Sequence, residues 1–274
     1  TLLSRKYAAM HHLSLNVNKW LNVGLFEGIV FGRENHFDYA YMNPVIFYRH
    51  IEGTLGSPDN AVAGLDIKAQ PIPGMQFYGQ FLMDEFIASR VYKSPSNWTN
   101  KFAFQCGGKY IDAFGIKNLD LQVEMNRVRP FTYSHSDSIA NYTHYNQPLA
   151  HPLGANFQEW IGLIRYQPAP KWTLDAQVMY YEKGMDSANS NFGGNIFKSY
   201  RTRIGDDGFN TTNGVLGSCL NTMLNVSYEY KYNLLLDAGI QYRTYKLATA
   251  ETIDKSLNYY LGLRLNFIKR KYDF

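Results

Sequence analysis

No apolar run of the ~18 residues that a membrane-crossing helix needs occurs in this chain of 274 residues. Helix-type apolar stripes are also few. Cysteine is scarce. Cys106 and Cys219 stand alone, with no Cys-x-x-Cys spacing or histidine partner, which argues against a metal site. A disulfide between them is open to the chain, but nothing in the sequence demands one. The 27 basic and 23 acidic side chains are dispersed, so no basic cluster tracks phosphates and nucleic acid is not an expected partner. No Gly-x-Ser-x-Gly elbow and no HExxH helix is found. The first residues, Thr1-Leu-Leu-Ser-Arg5, show no signal-peptide pattern. The expectation is that a leader has been removed or that the sequence is a piece of something longer.

What the chain has is ring-bearing and small residues: 22 Tyr, 17 Phe and 22 Gly. That composition favours an all-β protein. The mean hydropathy of −0.34 is compatible with a membrane barrel, because only alternate residues of each strand touch lipid.

The clearest stretch is the last one, from residue 257 to 274. Tyr259, Leu261, Leu263, Leu265 and Phe267 alternate with Gly262, Arg264 and Asn266, a period of two that makes a strand with one greasy and one wet face. The chain ends at Phe274, the pattern of the final strand of a Gram-negative outer-membrane barrel. Tyr272 and Phe274 fall in the opposite phase to Phe267, and a bulge near Phe267–Ile268 would restore it.

Ten further segments alternate in the same way: 10–18, 21–32, 61–70, 75–86, 101–112, 117–129, 157–166, 172–182, 219–231 and 234–247. Pro71-Ile-Pro-Gly74, Pro168-Ala-Pro170 and Tyr232-Asn233 are turn signals between them. Eleven strands of this length suit a tilted bilayer crossing. The expected fold is therefore a transmembrane antiparallel β-barrel, one domain over residues 1–274. Short and long connections are expected to alternate, the short ones periplasmic and the long ones extracellular. Eleven is odd, whereas bacterial single-chain barrels are even. Open edges do not survive in hydrocarbon, so the chain is expected to be the carboxyl-terminal part of a larger barrel.

Several segments carry a resemblance: His11-His-Leu-Ser-Leu-Asn16, Tyr41-Met-Asn-Pro-Val45, Asn126-Arg-Val-Arg-Pro-Phe-Thr-Tyr133 and Tyr145-Asn-Gln-Pro-Leu-Ala-His-Pro-Leu-Gly154. The chain resembles the Wzi-like capsule-assembly outer-membrane proteins of Bacteroidota, the RemB type included. The resemblance implies a closed barrel at the cell surface and, for the enterobacterial branch, a lectin-like role in holding capsular polysaccharide.

The wet face should carry Asp66, Lys68, Asp84, Lys109, Asp120, Glu124, Glu159, Arg165, Asp175, Asp237, Arg243 and Arg264 towards the lumen. Mixed signs favour a filled interior of paired side chains; a ring of one sign would favour a pore. In the loops, Arg33, Glu34, Asp38, Tyr41, Arg49, Arg129, Tyr133, Tyr145 and Asn146 are candidates to bind sugar. Rings stack on sugar C–H faces while hydroxyls need fixed donors and acceptors. The same residues also suit loops that pack on one another or an interfacial girdle. His36 with Asp38, or His135 with Ser136 and Asp137, could be drawn as catalytic pieces, but no nucleophile signature accompanies them. Asp137-Ser-Ile139 and Asp186-Ser-Ala188 resemble the O-glycosylation acceptor of Bacteroidota.

The function expected is thus non-enzymatic, without cofactor or metal: binding or anchoring surface polysaccharide. Alternatives are a structural subunit of a gliding, adhesion or secretion complex, a passive porin and, last, a barrel hydrolase. Expected partners are outer-membrane lipid and lipopolysaccharide, surface polysaccharide and other outer-membrane proteins.

Overall fold

The computed structural model describes residues 5–32, 37–43, 48, 59–84 and 88–266. Eleven long strands form one sheet: β1 (Tyr7–Asn16), β2 (Leu21–Phe31), β3 (Asn60–Ile72), β4 (Met75–Met83), β5 (Phe102–Tyr110), β6 (Leu119–Val128), then β9 (Phe157–Ala169), β10 (Trp172–Met185), β11 (Val215–Lys231), β12 (Leu234–Leu247) and β13 (Ile253–Leu265). Two short strands, β7 (Thr143–His144) and β8 (Gln147–Pro148), make a separate hairpin. The order in the large sheet is a pure antiparallel meander, each strand beside the next long one. Among the described residues β1 and β13 are the two ends of the sheet and are not paired with each other. No helix among the described residues is long and apolar enough to cross a membrane. The phase change around Phe267, Tyr272 and Phe274 lies outside the described residues.

Register converts the alternation into two faces. One unbroken row of partners runs Ser14, Gly24, Asp66, Gln80, Gln105, Asn126, Glu159, Tyr181, Cys219, Tyr245 and Asp254. Because side chains alternate with period two, this row fixes the polar face. On the strands, every residue expected to face the lumen shares it. The opposite face carries Leu13, Leu25, Leu65, Val123, Ile164, Val178, Leu224 and Leu261, all exposed. Cys106 is exposed on that apolar face and Cys219 is buried on the polar one, so the two thiols are free and on opposite sides.

On β9–β11 the apolar face is bounded by rings. Trp160 stacks on Tyr180 at 5.9 Å, and Trp172 tilts against Tyr228 at 4.7 Å. Eight residues separate Trp172 from Tyr180 along β10. That is about 26 Å of strand and about 20 Å after a tilt of ~40°, close to the apolar band of outer-membrane barrels. Beyond the upper pair the same face turns polar, with Gln158 Nε2 donating to Glu182 Oε2 at 2.7 Å.

Glycines on the polar face admit neighbouring rings. A Cβ at Gly107 would stand 2.5 Å from the Tyr78 ring, and one at Gly239 2.3 Å from that of Tyr260. The strands can therefore carry large aromatics on the inner face without being pushed apart.

Three connections differ from expectation. Lys183, Gly184 and Gly217 are ladder residues and not loop, since β10 and β11 pair out to Met185 and Val215; tertiary pairing overrides their weak strand propensity. The polar loop before β5 contains a short helix, α1 (Ala88–Lys93). The β12–β13 connection, residues 248–252, is short although it lies at the long-loop end, so the alternation of short and long breaks there.

Candidate functional site: a loop-capped polar wall

At the long-loop end the loops fold onto the polar face and onto each other. Tyr133, Ala155 and Ile196 from the loops pack with Val62, Leu82, Ala103, Val128 and Phe157 from the strands. The cap is fastened by cations aimed at carbonyl oxygens. Arg129 donates through Nε to Asn100 O at 2.7 Å and through Nη2 to Pro95 O and Phe209 O, both at 2.9 Å. One guanidinium thus joins three loops, and burial lowers its pKa, with Arg127 adding to the effect. Lys101, fully buried, donates to Ser134 O and lies 4.1 Å over the Tyr200 ring. Asn156, at φ +60°, donates to Asn213 O and Gly184 O and accepts from the Thr212 N–H.

The segment Arg129-Pro-Phe-Thr-Tyr133 runs through the middle of this cap, with Phe131 and Tyr133 both in the left-handed region. Tyr133 donates its N–H to Asp84 Oδ2 at 2.5 Å, and burial raises the pKa of its phenol, with Asp84 contributing.

Below the cap a hydrogen-bond network crosses β4, β5, β6 and β9. Glu124 accepts from the Tyr78 hydroxyl at 2.6 Å and from Gln105 Nε2 and Asn126 Nδ2, both at 2.9 Å. The Asn126 amide also reaches Glu159 Oε2 at 3.0 Å. Glu159 is only 2% exposed, and His151 Nε2 of the 129–156 loop meets it at 2.9 Å. Cap and wall are therefore joined through a histidine–carboxylate contact. Between them lies a cavity of about 340 Å³ lined by Phe26, Tyr133, Tyr142, Gln80, Gln105, Asn126 and His151. Nearer the short-turn end a second cavity, about 560 Å³, is bordered by Lys109, Asp120, Arg165 and Asp175.

The residues read as lumen-facing fall into two groups. Arg165 pairs with Asp175 at 2.8 Å and Arg264 with Asp237 at 2.9 Å, as mixed signs imply. Asp66 meets His12 at 2.9 Å. Arg243 lies over the Tyr245 ring, and Lys68 shares a register row with Tyr78. Glu124 and Glu159, by contrast, are held by amides, a phenol and an imidazole. Asp84 belongs to the cap and not to the wall.

The loop candidates disperse. Arg33, Glu34 and Arg49 lie outside the described residues, as does His36. Tyr41 is buried, its hydroxyl donating to Asp59 Oδ2 at 2.6 Å, and Asp38 accepts from the Ala40 N–H. Arg129 and Tyr133 are buried too; Tyr41, Asp38 and Arg129 are engaged by loop groups, whereas Tyr133 also lines the cavity beneath the cap. Aromatic and charged residues in loops look alike from sequence whether they point out or in. Tyr145 and Asn146, both at positive φ, form the tip of the β7–β8 hairpin. There Tyr145 is 88% exposed and lies 4.2 Å from the His144 ring. The cavity residues Gln80, Gln105, Asn126 and His151 are not among the sequence candidates for ligand binding, because only register brings three amides from three strands into one row.

Among the described residues no group of three or more His, Cys, Asp or Glu side chains could hold a metal ion. A family model described as "Capsule assembly protein Wzi" matches residues 3–257. The chain belongs to that family. Membership in the Wzi family makes it an outer-membrane β-barrel protein of capsule assembly. No curated protein matches the chain. Two solved structures are similar along almost their full length. "NanC porin structure in rhombohedral crystal form" is 10% identical with a TM-score of 0.35 over 96% of this chain and 95% of that one. "KdgM porin" is 7% identical with a TM-score of 0.30 over 96% and 100%. Likenesses this faint carry no weight beside the strand register.

Proposed function

We propose that this Wzi-family protein binds surface or capsular polysaccharide without chemical change, holding it at the long-loop end, which faces outside the cell. In this reading the eleven strands are part of a larger closed barrel. The observation that carries it is the 340 Å³ cavity beneath the cap. Its size suits a small polar ligand. Gln80, Gln105 and Asn126 offer both donors and acceptors, and Phe26, Tyr133 and Tyr142 offer flat apolar faces, the combination that a sugar ring with its hydroxyls requires. The exposed His144–Tyr145 pair gives a second stacking surface at the hairpin tip.

The test is calorimetric titration of the detergent-purified protein with oligosaccharides cut from the host's own surface polysaccharides. Gln105→Leu should weaken binding about tenfold or more, by stranding sugar hydroxyls without partners. Absence of binding to every such oligosaccharide would sink the reading.

A further inference from the structure

On β9–β11 the apolar face ends in a ring pair and then a polar rim, but on β1–β3 it ends differently. Leu13, Leu25 and Leu65 form one row of that face. The next rows are His11 with Glu27 and Ala63, then Ala9 with Ile29 and Ala61, then Tyr7 with Phe31. A bare carboxylate next to hydrocarbon is expensive, yet Glu27 is sheltered. Tyr48 donates its backbone N–H to Glu27 Oε2 at 3.0 Å, His11 Nδ1 meets Glu27 Oε1 at 3.0 Å, and the Tyr48 hydroxyl stands 2.6 Å from His11 Nε2.

Tyr48 and the described residues 37–43 lie on this same side of the sheet. Tyr41 and Tyr48 are buried against Ile29, Phe31 and Ala61. Phe37 touches Tyr7 and Phe31 at ring distances of 5.3 and 6.0 Å, and Phe31 touches Tyr41 at 4.8 Å. The 3₁₀ turn Tyr39–Met42 therefore has an inward side, Tyr41, and an outward side. Outward stand Tyr39, 79% exposed, and Met42, 63% exposed, with Phe37 beside them at 43%. These side chains continue the lipid-facing belt beyond Leu13 and Leu25 and point away from the polar wall. Exposed apolar side chains beside a polar backbone turn suit the headgroup–acyl boundary, where an amphipathic ring keeps one end dry and one wet.

We propose that this elbow, residues 37–43, is a lipid anchor seated in the boundary of the leaflet at the long-loop end, entered by Phe37, Tyr39 and Met42. It is not part of a sugar-binding surface, and the inference does not depend on the polysaccharide reading.

The test places a nitroxide at Tyr39→Cys in the full chain carrying Cys106→Ala, with buried Cys219 left in place. The protein is reconstituted in phosphatidylcholine vesicles and probed with oxygen and a water-soluble nickel chelate. Val123→Cys on the belt and Tyr145→Cys at the hairpin tip give the two reference environments. The Tyr39 label should favour oxygen over nickel several-fold more than the Tyr145 label does, and a label at Met42→Cys should agree. A Tyr39 label as open to nickel as that at Tyr145 overturns the proposal. A label shielded from both probes also overturns it, because protein and not lipid then covers the elbow.

Discussion

The two sides of the sheet at the long-loop end are both covered by loop, and they are covered by different physics. On the polar face, loops 84–101, 129–156 and 186–214 are held by buried cations and amides directed at carbonyl oxygens: Arg129, Lys101 and Asn156. On the apolar face, the elbow is held by ring contacts around Phe31 and Tyr41 and by the Tyr48–His11–Glu27 chain. The difference follows from what each face offers. Inside, crowded loops bring many backbone groups together, and each buried group must be satisfied. Outside, the strands present mostly side-chain carbon, so burial of rings supplies most of the attachment, with Glu27 met by Tyr48 and His11 and the Tyr41 hydroxyl by Asp59.

The comparison can be broken first at Arg129. Arg129→Met should leave three loop carbonyls without their donor and cost about 3–5 kcal/mol. It should appear as a lowered unfolding midpoint in detergent and as new protease cuts within residues 186–214. The elbow should be untouched, since the partners described for it and those of Arg129 are different residues. Tyr48→Ala is the converse. Loss of its buried ring should cost about 3 kcal/mol locally, read as faster amide exchange in residues 37–43 with the cap still protected. If both variants loosened both regions equally, the two layers would be one cooperative unit and the distinction would fail.

Lys6 sharpens the contrast, because it ties the start of β1 to the inner cap. Its ammonium donates to the carbonyl and side-chain oxygens of Asn141 and Thr143, and burial lowers its pKa from 10.5 to about 8, against a smaller raising effect of Asp137. A lowered folded-state pKa means that the unfolded chain binds more protons between about pH 8 and 10.5, so stability should rise with pH across that window. Unfolding midpoints at pH 7.5 and 9.5 should differ in that direction for the native protein. The difference should shrink in Lys6→Met; an unchanged difference would remove Lys6 as its source.

The smallest effect is expected at the hairpin tip. Tyr145→Ala should shift stability by no more than ~0.5 kcal/mol, as for an exposed side chain with few contacts. Any loss of polysaccharide binding in that variant would therefore report on contact with the glycan and not on folding.

Much of the fold is legible in the sequence. The reading of residues 234–247 matches β12 at both ends, because Leu236, Ala238, Ile240 and Tyr242 take turns with Asp237, Gly239, Gln241 and Arg243 and the Tyr232-Asn233 turn marks its start. At residues 183–185 and 215–217 the reading stopped short, because lysine and glycine look like loop while their pairing partners hold them in the ladder. Parity alone puts Asp66, Glu124 and Glu159 on one face, and the register shows them sharing it. That Glu124 and Glu159 share one amide, Asn126, could not be read, since it needs the register of two strand pairs at once. Arg129 is a ligand candidate by sequence but fastens loops in the structure, because a buried and an exposed arginine carry the same letter.

By itself, then, the amino-acid order decided which side chains lie on the apolar face of the sheet and which on the polar one. That choice is local: it needs only a period of two and a solvent on each side. The tertiary structure decided which loops fold inward as a cap and which one bends outward over Ile29 and Phe31. That outcome depends on which carbonyls and rings the strand register brings within reach, a distance between residues far apart in the chain that no local pattern contains.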